Sequence, residues 1–464
     1  MRPHRVVVVA GPTDRPAPPA ATAPNVSSYQ SFSHREVTVT STPTSSPPTT
    51  ERDDESGSFA WYGTMTPQGR RAFKGAFGGY ALDSYDFQVL PLSMVAIAAY
   101  FSLTTAQTGL MTTVTLLVSA LGGVLAGVLI DRVGRVRTLM ITVATYAVFT
   151  VLCGFAVNYP MLLACRALQG LGFGGEWAAG AVLVAEYART RYRGRVLAFI
   201  QSSWAVGWAL AVIVATLVMD NVDPDLAWRI MFWTGALPAL LLVYVRRNVK
   251  DAPEVTERLA QKEARVPLSS IFQGSLTRKT LFATLLATGV QGGYYTIATW
   301  LPTYLKTERG LTVVGTGGYL STLISGAFCG YITGGFLVDR LGRKKSFALF
   351  AVLSAALLIT YINIPQGSND LLLILGFPLG FSSSAIFAGF GSFLAELYPN
   401  AVRGTGQSFT YNVGRAIGAF FPTAVGFSAG SAGVGSALVY GAIGYCIALV
   451  ALLGLPETRG TELA

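Results

Sequence analysis

Apolar residues in this chain fall into twelve long runs, each of a length that crosses a bilayer as a helix, with short polar stretches between them. The runs cover roughly 73–100, 107–130, 138–157, 160–186, 196–219, 228–246, 280–303, 313–338, 346–362, 370–394, 405–427 and 434–455, and predict as many transmembrane helices. Pro91, Pro238, Pro302, Pro378 and Pro422 lie inside them, which membrane helices tolerate where neighbours satisfy the freed backbone groups. Two stretches break the pattern. Residues 1–68 are rich in Pro, Ser and Thr; they lack the apolar surface to offset ordering entropy, so a disordered tail is predicted. Met65, just ahead of Arg70 and Arg71, is an alternative start that would leave 1–64 untranslated. Residues 248–278 are polar and charged, and predict a linker at the cytoplasmic surface.

The polar punctuation repeats. Gly127–Arg137 reads GVLIDRVGRVR and Gly335–Lys345 reads GFLVDRLGRKK; Gly127, Asp131, Gly134 and Arg135 pair with Gly335, Asp339, Gly342 and Arg343 at an offset of 208. Arg132 and Arg340 complete the motif. Glu186 with Arg193-Gly194 returns as Glu396 with Arg403-Gly404 at an offset of 210. A repeat at that spacing predicts two pseudosymmetric six-helix bundles, 69–247 and 279–456, joined by the linker and followed by a short tail, 457–464. Loops after even-numbered runs hold twenty Lys and Arg, those after odd-numbered runs only Arg229, Lys306 and Arg309. Positive-inside bias therefore predicts that both termini are cytoplasmic.

Composition agrees with a membrane protein and narrows its chemistry. With 52% hydrophobic residues, 12% charged and a mean hydropathy of +0.49, the chain is too apolar for a soluble fold. The net charge of +10 does not predict a nucleic-acid partner, because the basic residues are spread among the loops as topology signals. Cys153, Cys165, Cys329 and Cys446 lie within apolar runs without metal-ligand spacing. The two histidines, His4 and His34, are both in the tail, leaving carboxylates as proton carriers. No nucleophile, metal or nucleotide motif is visible, so neither an enzyme nor a cofactor is predicted. Val6–Ala10 is too short for a signal peptide, and the first run is expected to act as the insertion signal.

A charge inside a spanning helix costs at least about 2.5 kcal/mol, so each one asks for a reason. Asp83 and Asp86 lie three residues apart in the first run, with Tyr80 and Leu90 on the same helical side. Burial and mutual repulsion penalise their double ionisation, which suits reversible protonation; a structural pair bonded to neighbouring helices is the alternative. The fourth run reads CRALQGLGFGGEWAAG, and its glycines Gly170, Gly172, Gly174, Gly175 and Gly180 predict close helix packing. Arg166 lies toward its outer end, and Glu176 is about 15 Å deeper by helical rise. Glu176 is a further protonatable candidate; Arg166 biases its charge, screens the cavity, or pairs with a polar surface group. In the second half Arg415, with Asn412 one turn before it, is a permanent cation that needs an anion, fixed or transported. Gln201 with Trp204 and Trp208, and Gln291 with Tyr294 and Tyr295, form stripes that serve either packing or binding.

The two DRxGR loops, the Asp83-Ser84-Tyr85-Asp86 segment, the fourth-run motif and the terminal Leu455–Gly460 sequence LPETRG together resemble the major facilitator superfamily. Within it they are similar to the metabolite:proton symporters for organic acids: the aromatic-acid, sialate and monocarboxylate branches. Ser84, where aromatic-acid carriers usually have glycine, leaves the sialate and monocarboxylate branches more open. The resemblance covers about residues 70–460. It implies an all-α membrane protein whose first, fourth, seventh and tenth helices line a central cavity, with Asp131 in a cytoplasmic gate and Asp83 and Asp86 in transport. The expectation is a monomeric plasma-membrane carrier that imports a small organic anion with protons and works within the lipid bilayer, driven by the proton gradient and no bound metal. Carriage of a neutral sugar-like solute, efflux, or sensing of such an acid are the alternatives.

Overall fold

The computed structural model describes residues 60–187, 193–249, 267–399 and 402–459. Most of the expected tail and linker lies outside the described residues, as do the side chains of Asp131, Glu186 and Arg193. Among the described residues twelve membrane-length helical rods follow one another. They are α1 (Pro67–Tyr100), α2 (Thr105–Val133), α3 (Arg135–Cys153), α4 (Tyr159–Tyr187), α5 (Arg193–Asn221) and α6, in which Pro224–Trp233 continues through a tight turn into Leu237–Asn248. In the second half come α7 (Ser275–Thr307), α8 (Val313–Leu341), α9 (Arg343–Ile362), α10 (Asn369–Ala388, then Phe390–Leu397), α11 (Arg403–Gly418, then Phe420–Ala432) and α12 (Val434–Ala437, then Val439–Leu453).

Most rods extend past their apolar run, and several begin at a side-chain cap. Thr66 accepts a hydrogen bond from the Gly69 N–H ahead of α1, where Pro67 supplies a preset φ, and Thr104 forms a reciprocal capping box with Gln107 at the start of α2. Eight of the rods are long and apolar enough to cross a membrane by composition alone. The four that fall short, α1, α4, α7 and α11, are those that carry Asp83 and Asp86, Arg166 and Glu176, the Gln291 stripe, and Arg415; the Gln201 stripe lies on α5.

Packing follows the repeat. Within the first half α2 and α3 lie against α4, and α1 against α5; within the second α8 lies against α10, and α7 against α11 and α12. The halves meet where α5 touches α8, α2 touches α11 and α1 touches α7. Both halves bring backbones together through glycine. A Cβ on Gly174 of α4 would lie 1.7 Å from the Ser119 carbonyl of α2, and one on Gly380 of α10 would lie 1.9 Å from the Leu323 carbonyl of α8. This is the small-residue packing the fourth run predicts.

The repeated loops are tight turns in which Gly134 and Gly342 take φ of 93° and 97°, a region that a side chain disfavours. In the second copy Arg343 bonds Asp339 at 3.1 Å and Glu396 at 2.8 Å, and Thr458 donates to Glu396 at 2.5 Å. Glu457 caps α9, accepting from the Arg343 and Lys344 N–H groups at 2.8 and 3.1 Å. The terminal PET sequence thus clamps the second DRxGR turn.

One boundary differs from expectation. Helical structure is present ahead of residue 69: Ala60–Gly63 forms a helical turn, and Trp61, 2% exposed, packs against Phe73 and Phe199 with ring centroids 5.1 Å away in each case. Arg70 secures it by donating to the carbonyls of Tyr62 and Gly63. Trp61, Tyr62 and Met65 supply the apolar surface that the rest of the tail lacks.

Candidate functional site

A narrow cavity lies where the halves meet, lined by Tyr80 and Asp83 of α1, Phe173 of α4 and Gln201 and Trp204 of α5. From the second half come Tyr294 and Tyr295 of α7, Tyr331 of α8, Phe387 of α10, and Tyr411 and Arg415 of α11. All four of the polar rods contribute, and the walls are mainly aromatic. Rings interlock around the opening: Tyr80 with Trp204 at 5.2 Å, Phe87 with Phe173 at 5.5 Å and with Tyr295 at 5.6 Å. The polar tips of these rings are tied down. Gln201 donates to the Tyr80 hydroxyl at 3.1 Å, and the Trp204 indole donates to the Tyr294 hydroxyl at 2.7 Å across the two halves.

Arg415 is 5% exposed and held from behind. Its Nε donates to Gln291 Oε1 at 3.4 Å, while Gln291 donates to the Tyr411 carbonyl at 3.0 Å. The guanidinium lies 5.0 Å from the Tyr411 ring centre and 5.8 Å from that of Phe173, within cation–π range. Nη1 is buried with no hydrogen-bond partner. Asp83, on the other half, is 1% exposed and lines the same cavity with Oδ1 unpartnered. No ion pair joins the two. The cavity therefore holds a fixed cation with one nitrogen unbonded, and an acid in the same lining.

The two acids of α1 part company. Asp86 is fully buried away from the cavity, accepting from the Thr150 hydroxyl of α3 with one oxygen and from the Gln169 amide of α4 with the other. This is the structural arrangement held open as the alternative in the sequence, and it applies to one acid only. Glu176 is also fully buried, with both oxygens unpartnered, and it presses on α1 where a Cβ on Gly79 would lie 2.3 Å from Oε1. It stands behind Asp83 and does not line the cavity.

Three further candidates lie elsewhere. Arg166 is fully buried within its half, and its three guanidinium nitrogens lack hydrogen-bond partners. That excludes a bonded pairing at the surface; the carboxylate of Asp86 attracts it through space without a direct bond. Asn412 bonds back to the Ser408 carbonyl at 2.9 Å and abuts Gly123 of α2, at the α2–α11 contact and outside the cavity lining. Gln291 supports Arg415 without lining the cavity. Gln201, Tyr294, Asp83 and Arg415 do line it. Tyr331, Phe387, Phe173 and Tyr411 are lining residues that sequence reasoning missed. Tyr411 alone had a signal, lying one turn before Arg415 on the same side.

The profile of the Major Facilitator Superfamily matches residues 76–334 and 321–463. The chain belongs to the Major Facilitator Superfamily. Among relatives of this transporter, the probable 4-methylmuconolactone transporter of Cupriavidus pinatubonensis is 41% identical over 407 residues, covering 87% of this chain and 94% of the relative. The cis,cis-muconate transport protein of Acinetobacter baylyi is 33% identical over 392 residues, covering 82% and 93%. The crystal structure of a D-xylose–proton symporter matches with a TM-score of 0.67 at 20% identity, covering 85% of this chain and 99% of that one; at that identity the likeness concerns the fold alone. The protein is a multi-pass membrane transporter of the secondary type and not an enzyme.

Proposed function

We propose that this transporter imports a small organic anion together with one or more protons across the cell membrane, with both termini cytoplasmic and a single chain as the working unit. One observation carries the reading: Arg415 holds a buried, unpartnered guanidinium donor in an aromatic cavity between the halves. A carboxylate supplies the two acceptor oxygens that a guanidinium fork fits, and ring faces suit an unsaturated or aromatic body. The relatives named for muconate and for a muconolactone lend the substrate class support. Asp83 is the favoured coupling acid because it faces the cavity with a free oxygen, Glu176 is the second, and Asp86 is reassigned to positioning. A proton on Asp83 removes the cost of burying a carboxylate without a cation, and the arriving anion then compensates Arg415. With both charges met, the halves are free to rock about the cavity, while Arg343, Glu396 and Thr458 release and re-form the clamp on the loops.

Uptake into liposomes tests this. An imposed inward proton gradient should drive accumulation of a labelled carboxylate, and a protonophore should abolish it. Accumulation that ignores the gradient, or that favours neutral sugars over carboxylates, would refute the reading.

A further inference from the structure

A second, partly open cavity lies between α1, α5, α7 and α8 at the end opposite the DRxGR turns. It sits on the same four helices that carry much of the central site. From Asp83 to Pro91, from Trp204 to Val212 and from Tyr295 to Thr303 the step is eight residues in each case, about 12 Å along a helix axis. Its walls are chiefly apolar, and its charged lining residue is Lys306. Lys306 has no hydrogen-bond or ion-pair partner among the described residues, whereas the other charges of its turn are engaged. Glu308 caps α12 through the Val434 and Gly435 N–H groups. Arg309 bonds the Tyr304 hydroxyl and the Ile364 and Pro365 carbonyls. Two hydroxyls of the cavity, Thr303 Oγ1 and Thr316 Oγ1, are buried without any partner, each residue 8% exposed. Thr303 precedes Lys306 by three residues, so both project from one side of α7. Trp208, halfway between Trp204 and Val212 along α5, leaves its buried indole N–H unpartnered and lines neither cavity.

We propose that this cavity is a second anion site, which takes a carboxylate with an apolar body through Lys306, Thr303 and Thr316 and lies on the path to Arg415. An ammonium with two spare hydroxyls meets a carboxylate, and apolar walls cover the body, as in ligand pockets generally. The proposal rests on the organic-anion reading for its cargo. The same chemistry, an anionic group on an apolar chain, is offered by a lipid headgroup.

Calorimetric titration of the purified full-length protein with benzoate and benzamide separates these cases. Arg415→Gln should keep a weak benzoate site that excludes benzamide, and Lys306→Gln in that background should weaken it by about tenfold or more. Lys306→Arg should retain it. Melting temperatures should stay level, since Lys306 has no protein partner to lose. If wild type binds benzoate but Arg415→Gln binds none, the second site falls and the central one stands. Residual binding that survives Lys306→Gln, or accepts benzamide equally, also overturns it, and a wild type that ignores benzoate removes it outright. Repeating the titration in nanodiscs settles the source. Loss of the Lys306-dependent site in phosphatidylglycerol, but not in phosphatidylcholine, assigns the pocket to lipid and overturns its place on the substrate path.

Discussion

Asp83 and Asp86 show how far a helical face can be read from spacing. Three residues place side chains about 60° apart, close enough to share a side yet far enough, in a packed bundle, to meet different neighbours. Asp83 turns to the cavity, and Asp86 turns to Thr150, Gln169 and the charge of Arg166. The two should therefore fail differently. Asp83→Asn should abolish proton-driven accumulation while leaving exchange of labelled for unlabelled substrate, since exchange needs a site and a moving carrier but no net protonation change. Asp86→Asn should instead disturb the bonds from Thr150 and Gln169 and remove a charge that attracts Arg166 through space, destabilising the fold by about 1–3 kcal/mol. A double substitution with Arg166→Gln should recover much of that stability. Melting curves beside gradient-driven and exchange assays of the three proteins check this; a well-folded Asp86→Asn that alone loses coupling would reverse the assignment.

At the scale of elements, the apolar runs located every rod, and glycine content marked the tight contact of α4. What the sequence left open was which glycines are crowded. Gly174 meets a carbonyl of α2, so Gly174→Ala should cost more than the 1–3 kcal/mol typical of overpacking and greatly lower the yield of folded protein. Gly127 belongs to the repeated loop motif, yet a Cβ there meets nothing within 4 Å, and Gly127→Ala should melt like wild type. Comparable melting of the two variants would contradict the packing of α2 on α4. The beginning of α1 was less legible, because a Pro, Ser and Thr-rich tail hides three apolar side chains at its end. Trp61 now makes a specific demand: deletion of 1–59 should leave thermal stability unchanged, whereas Trp61→Ala should cost about 3 kcal/mol, as large-to-small core changes do. Equal melting temperatures would show that Trp61 contributes nothing to the body.

For the whole molecule, the duplicated loops announced the two-part architecture, because tight turns between bilayer-length runs leave a signature that no soluble protein needs. The cavity was only half legible. Charges inside apolar runs stand out against a cost of insertion, which is why Asp83 and Arg415 were found. Tyr331, Phe387 and Phe173 were invisible, because an aromatic side chain is equally at home in a membrane core, and only the meeting of seven helices turns it toward a cavity. That meeting places a permanent cation with a free donor at the centre of a carrier, and the account turns on what answers it. The most direct measurement is the affinity of a carboxylate and of its neutral amide for wild type, Arg415→Lys and Arg415→Gln. Wild type should prefer the acid, and Arg415→Gln should lose that preference by roughly ten- to a hundredfold, the worth of one charge-assisted hydrogen bond. Arg415→Lys should recover part of it, since lysine keeps the charge without the fork. Equal affinity of wild type for acid and amide would contradict the organic-anion carrier at its root.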